Sequence, residues 1–517
     1  MTNEFQKELI KRANKTSKVA TTENGAKCYN RSKSDIFDLY IQLAKLRNET
    51  NDKIKEVFEK ALAEDASLTM KAMFYARDIR GAGLGERRVF RELMINLLNS
   101  DFRDEGLALC AYIPEIGRWD DVIEVATSTR VDEEYREVLL GLISSVLDSE
   151  VGVINGTIEG EISLLGKWLP SINASSKETR RKAFALVSFM YGNTHRESQA
   201  RYRKICSKLR SHIGIVEKKM CAGEWDKIEH SKLPSYAFKK YISAFWRHTP
   251  EKMEKLVKKI EKGEATINSG VLYPYDIVSK LCDYWYNNNI NNRIGLEEDV
   301  IATAQLKGLP NYVEENQNIM VVMDSSGSMH GKPMATAFGL GIYFANRNTG
   351  VWHNKAMTFS SEPHFIEFKG NSVAEDLSLI PSIVEDTDID KVFKLLYKTA
   401  KASGEEVPNI VIITDMQFNS GTKNSSRTIF EKWQKKFEEN GMTMPNITYW
   451  DVSNYRISLQ NKGEKNQYVQ YVNGHSVGVF NSVINGIGKT RYQAMVDVLN
   501  KYTMVDYIIS LINNGNE

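Results

Sequence analysis

The chain has 517 residues, with 42% hydrophobic and 26% charged. That length suits two to four domains of roughly 100–200 residues each, and the apolar share is too high for a mainly disordered chain. Lys and Arg (68) nearly cancel Asp and Glu (66), which excludes a uniformly basic coat and leaves only local patches. Five cysteines (Cys28, Cys110, Cys206, Cys221, Cys282) are scattered, odd in number and without a CxxC pair. This excludes a disulfide framework and fits a reducing, cytoplasmic setting. There is no apolar run of about 18 residues, and the opening MTNEFQKELIKRANK is charged where a signal peptide is apolar, so no membrane span is expected.

Residues 1–35 are polar and basic and read as a flexible or loosely docked arm. Helical periodicity begins near 36. In NDKIKEVFEKALAED, Ile54, Val57, Phe58, Ala61 and Leu62 recur at one-face spacing, the buried stripe of a helix. Similar stripes occupy 70–79, 87–99, 104–113, 134–148, 180–191, 234–246, 251–262 and 275–287. Helix after helix over 36–310 is best buried by stacking pairs, as in a HEAT-like solenoid or ring. The pattern changes near 311. NQNIMVVMD, VPNIVIITD and MPNITYWD are short apolar runs, each ending in an aspartate. Helical segments at 333–346, 388–402 and 426–440 separate them, and a last helix is expected over about 490–513. This alternation predicts a buried parallel sheet in a Rossmann-like unit over 311–517. The whole chain is therefore α + α/β, and ligands should lie beyond the carboxyl ends of the strands.

The first of these runs leads straight into Asp324-Ser325-Ser326-Gly327-Ser328, a DxSxS pattern. Oxygen side chains at i, i+2 and i+4 on a tight loop can converge on one point, and hard oxygen ligands without Cys or His select a hard cation such as Mg²⁺, with Mn²⁺ or Ca²⁺ as alternatives. Further ligands should come from neighbouring loops. Thr387, just before a helix, and Asp415, at the end of the second run, are the best placed. The constellation Asp324, Ser326, Ser328, Thr387 and Asp415 resembles the metal-ion-dependent adhesion site of von Willebrand factor A domains. That resemblance implies that Ser326, Ser328 and Thr387 touch the metal, that both aspartates act mainly through water, and that one position stays open for an acidic group of a partner.

Upstream, MKAMFYARDIRGAGLGERRVFRELM, IGRWDDVIEV and GKWLPS resemble the Ro/TROVE family, and more closely its relatives in plants, bacteria and phages that join a similar helical part to the same A domain. The resemblance implies a ring of HEAT-like helices closed by the A domain. In the best-known members, misfolded or 3′-ended single-stranded RNA enters the basic hole and structured RNAs lie outside. The residues point the same way independently. Between Lys177 and Lys219 there are twelve basic residues and three acidic ones. Arg180, Arg181, Arg201, Arg203, Lys204, Lys208 and Arg210 are the candidates for phosphate contacts, joined by Arg87 and Arg88 beside a Gly-rich turn. Tyr191, Tyr202, Trp225, Phe245, Trp246 and His248 are nearby in sequence and could stack on bases.

Other signals are set aside. Gly81-Ala82-Gly83-Leu84-Gly85-Glu86 has Glu where GxGxxG needs its third glycine, and it follows a helix. Gly488-Lys489-Thr490 lacks the first glycine of a P-loop, and no HxxxH occurs. The expectation is a non-enzymatic RNA-binding protein with a metal-dependent site for a protein partner. The alternative is a protein-interaction scaffold that uses the metal site without nucleic acid.

Overall fold

A computed structural model of the chain describes residues 19–21, 27–29, 32–80, 83–286, 296–311, 313, 319–360, 362–381, 388–403, 407–416, 429–452, 469–475 and 489–515. Most of the expected N-terminal arm lies outside the described residues. Within it, β1 (Val19–Thr21) and β2 (Lys27–Tyr29) pair antiparallel.

The helical run then starts. Its main members are α1 (Asp35–Gln42), α2 (Asn51–Glu64), α3 (Ala66–Arg77), α4 (Arg87–Leu98), α5 (Arg103–Leu109), α6 (Trp119–Ala126), α7 (Glu133–Asn155), α8 (Lys177–Tyr191), α9 (Arg196–Ile213), α10 (Ser235–His248), α11 (Pro250–Glu261), α12 (Pro274–Tyr286) and α13 (Leu296–Lys307). Local chemistry sets several boundaries. Thr50, Asp65 and Ser176 accept a backbone N–H of the first turn of α2, α3 and α8. Gly192 and Gly214, both left-handed, end α8 and α9. The stripe read in α2 is real: Ile54, Phe58, Ala61 and Leu62 are buried. Helix α9 was not among the predicted elements, because its basic face leaves only Ser198, Tyr202, Cys206 and Leu209 buried.

The second layer is a six-stranded sheet built from β3 (Ile319–Asp324), β4 (Lys355–Phe359), β5 (Phe365–Glu367), β6 (Asn409–Thr414), β7 (Ile447–Asp451) and β8 (Val469–Asn473). Its order is β5-β4-β3-β6-β7-β8, all parallel except the edge strand β5. This is the order of a doubly wound sheet, with the topological switch between β3 and β6. Strands β4, β5 and β8 were not predicted. They are three to five residues long and carry polar residues such as Lys355, Gln470 and Asn473, which hides the apolar signal. The accompanying helices are α14 (Lys332–Ala345), α15 (Val373–Ser378), α16 (Ile389–Ser403), α17 (Ile429–Glu439), α18 (Arg491–Leu499) and α19 (Thr503–Gly515). The last two replace the single expected helix. The chain turns at Asn500–Tyr502, where Tyr502 N–H bonds back to the Leu499 carbonyl.

Helix α14 is buried on every side from Met334 onward, because it lies between β3 and α12. Small residues permit that closeness. A Cβ on Gly339 would meet the Pro274 backbone at 2.9 Å, so glycine lets α12 press against α14. The helical run thus touches the sheet unit at both its ends. Helices α12 and α13 pack on α14 and α15, while α18 and α19 return to α3 and α5. One core extends from Ile36 to Leu209 and, after a gap, from Leu272 into the sheet. A second, smaller core of α10 and α11 contains Phe238, Phe245, Met253 and Val257. No helix among the described residues is long and apolar enough to cross a membrane.

Candidate metal centre

Strand β3 ends on Asp324 and β6 leads into Asp415, so both carboxylates sit at the carboxyl edge of the sheet, at the switch point. Both are buried, with 0% and 1% of their surface exposed. Asp324 is held from two directions. Its Oδ1 accepts the Ser326 N–H at 2.9 Å, and its Oδ2 accepts the Thr414 hydroxyl at 2.6 Å. These bonds fix the carboxylate while each oxygen keeps a lone pair for a further donor or a metal-bound water. Burial, reinforced by the negative charge of Asp415, pushes the Asp324 carboxyl up to about 7. Two buried carboxylates that repel each other form a site that gains from a cation.

The hydroxyls complete the set. After β3 the chain makes a short 3-10 turn, Gly327–Met329, with Ser326 just before it. Ser326 Oγ lies 3.2 Å from Ser328 Oγ, both facing solvent. Neighbouring oxygens around an octahedral ion with bonds of about 2.1 Å lie about 3.0 Å apart, so a shift of a few tenths of an ångström would bring both hydroxyls onto one ion. The residues present therefore fit a hard divalent ion: Ser326 and Ser328 as direct ligands, Asp324 and Asp415 as a buried anionic floor. Thr387 lies outside the described residues.

Two neighbours were not anticipated. Thr414 anchors Asp324, and its only sequence signal is a hydroxyl residue directly before Asp415. Met416, buried and at φ 66°, follows with its N–H bonded to Thr414 Oγ1. A non-glycine residue in the left-handed region is a costly conformation of the kind that clusters at functional sites. The third strand-ending aspartate, Asp451, is used differently: Lys45 of the helical part pairs with it at 2.5 Å, both side chains nearly buried.

The basic residues fall into two groups. Arg201, Arg203, Lys204 and Lys208 are exposed on α9, with Arg201 paired to Glu197 and Lys208 to Asn155. Of the others, all but Arg87 are tied to backbone. Arg210 donates to the carbonyls of Gly166 and Leu169, Arg180 to Ala174 and Ser175, Arg181 to Thr127, and Arg88 to Leu46, Arg47 and Glu49. Arg87 makes a long 3.7 Å contact to Asp120. Of the aromatic candidates, Tyr202 and Phe245 are core residues, and Trp225 stacks on His248 at 4.0 Å.

Compared with known proteins, residues 22–100 and 127–319, more than half of the chain, match the family described as "Domain of unknown function (DUF2828)". The chain belongs to the DUF2828 family. Residues 318–501 match a second family, described as "Domain of unknown function (DUF7788)". The two matches meet at the first residues of β3, so the family's helical part and the sheet unit are distinguished in sequence as well as in structure. The "Uncharacterized protein L728" of Acanthamoeba polyphaga mimivirus is 28% identical over 522 residues, covering 94% of this chain and 88% of that protein.

Proposed function

We propose that this chain is a Ro-like RNA-binding protein, non-enzymatic and cytoplasmic. In this reading a HEAT-like helical ring holds single-stranded or misfolded RNA by its phosphates. A von Willebrand factor A-like unit closes the ring and uses Mg²⁺ to capture an acidic group of a protein partner. The contacts at both ends of the helical run support a closed ring. The meeting of Asp324, Ser326, Ser328 and Asp415 at the switch point supports the adhesion-type site, to which Thr387 would add a third hydroxyl.

The RNA half rests on one observation. Arg201, Lys204 and Lys208 recur at i, i+3 and i+7 on α9 and form an exposed cationic stripe, with Arg203 beside it. Among the described residues Arg203 and Lys204 have neither an ion pair nor a hydrogen bond to hold their charge, so both are available to phosphate. Binding of a labelled oligouridine, followed by fluorescence anisotropy, tests this reading. Affinity should fall steeply with salt, with a log–log slope of about −0.7 per phosphate contact. The exposed pair Arg203→Glu/Lys204→Glu should weaken binding at least about tenfold without lowering the melting temperature. Unchanged affinity in that variant contradicts the reading. Arg210 is unsuitable for the test, because its guanidinium closes off the carbonyls of Gly166 and Leu169 at the Leu165–Trp168 turn and its cap.

A further inference from the structure

Away from the sheet, α4, α6 and α8 enclose a cleft of about 480 Å³ whose wall carries five arginines: Arg87, Arg88, Arg91, Arg130 and Arg181. Ser128 and Thr129 add hydroxyls to the same wall. Five guanidiniums gather in one concavity only if something holds them against their mutual repulsion. Here carboxylates do so, three of them (Glu92, Glu124 and Glu178) from within the same lining, which leaves the arginines in excess by two. Arg91 is clamped by Asp120, Asp121 and Glu124, at 2.8, 2.7 and 3.0 Å. Arg130 is bidentate on Glu92, at 2.7 and 2.6 Å. Arg88 is fixed by the carbonyls of Leu46, Arg47 and Glu49, in the segment between α1 and α2.

The remaining two differ. Among the described residues, Arg87, at the first turn of α4 and with its side chain 47% exposed, makes only the long contact to Asp120. Arg181 is exposed and, among the same residues, donates through Nη1 alone, to the Thr127 carbonyl. Each therefore presents spare N–H groups on a frame that the other three arginines make rigid. A planar fork with free donors suits the oxygens of a phosphate, which it can grip bidentately.

We propose that this cleft is a phosphate-binding site centred on Arg87 and Arg181, filled by the backbone of a bound RNA strand. The choice of RNA rests on the reading above and on position: α8, which carries Arg181, packs directly against α9 with its cationic stripe. A small phosphorylated compound has the same chemistry and is separated from RNA by the test.

The full chain and its Arg87→Gln/Arg181→Gln variant are titrated with labelled oligouridine over a range of salt, beside the α9 variant. Inorganic pyrophosphate is titrated into both proteins by calorimetry. The expected result is RNA binding weakened at least about tenfold in the cleft variant, with a log–log salt slope shallower by about 1.4, the loss of two single-strand phosphate contacts. If wild type and cleft variant bind RNA alike while the α9 variant fails, the RNA reading stands and the cleft proposal is overturned. If the wild type binds no RNA, the RNA reading falls. Pyrophosphate binding that disappears in the cleft variant then keeps the phosphate site, and its absence overturns that too. Should the double variant melt early, Arg87→Gln alone repeats the comparison, since its one polar contact is long and exposed.

Discussion

Asp121 shows how much of the RDIR and GRWDD segments is structural. It is 0% exposed, and its two oxygens accept Arg77 Nε and Arg91 Nε, each at 2.7 Å. Arg77 is itself 1% exposed. A buried carboxylate between two guanidiniums is worth little as net stability, yet removing it leaves uncompensated buried charge, which costs about 3–5 kcal/mol. Asp121→Asn should therefore lower the denaturation free energy by about that amount, read from urea titrations. A loss below about 1 kcal/mol would show the site to be wetter than its burial implies. The segments that gave the chain its family resemblance are thus partly docking residues. Sequence displays such residues as motifs but not as ion pairs, because their partners lie 30 to 44 positions apart. The DxSxS loop was legible for the opposite reason: its oxygens are neighbours in the chain. Thr414 was missed because it acts across the switch point, 90 residues from Asp324.

At the scale of elements, the described part of the Gly-rich segment that imitates a nucleotide loop, residues 83–86, is a wedge. The turn after α3 folds back on that helix, with Leu84 N–H bonded to the Tyr75 carbonyl and Glu86 N–H to the Ala76 carbonyl. Leu84 then meets Gly474 just beyond β8, where the backbone is at φ 104° and a Cβ would come within 2.9 Å of Leu84 Cδ2. Arg47 pairs with Glu86 on the other side. Gly474→Ala combines a strained conformation, of order 1–3 kcal/mol, with that collision. Adding Leu84→Ala should relieve the collision but not the strain. A double-mutant cycle in thermal melts should thus show coupling of at least about 0.5 kcal/mol, and strict additivity would mean the two do not touch. The apolar runs of β3, β6 and β7 announced themselves as buried strands. The wedge did not, since glycines at a turn look alike whether they hold phosphate or a neighbouring leucine.

For the molecule as a whole, the order of helical run and sheet was readable from periodicity, whereas the return of the sheet unit onto the first helices was not. That contact depends on pairs such as Asn473 Nδ2 to the Tyr40 carbonyl, 433 residues apart, and Tyr502 to Asp78. The larger core joins the early helices to the sheet, while α10 and α11 keep their own. Between the two cores, residues 214–227 are mostly exposed, with left-handed Gly214 and Gly223 and the lysines 218, 219 and 227. Limited trypsin digestion should cut there first and leave the larger core intact. First cleavage inside α14 or the central strands would contradict that division.

The proposed adhesion-type site requires that the rim of the sheet hold a divalent ion between β3 and β6. Titration of the metal-stripped full chain with Mn²⁺, read by electron paramagnetic resonance, tests it most directly. One ion should bind per chain, competed by Mg²⁺ and lost in Ser326→Ala/Ser328→Ala at unchanged fold. Mn²⁺ that stays free in the wild type, or binds equally well to the double variant, would contradict it.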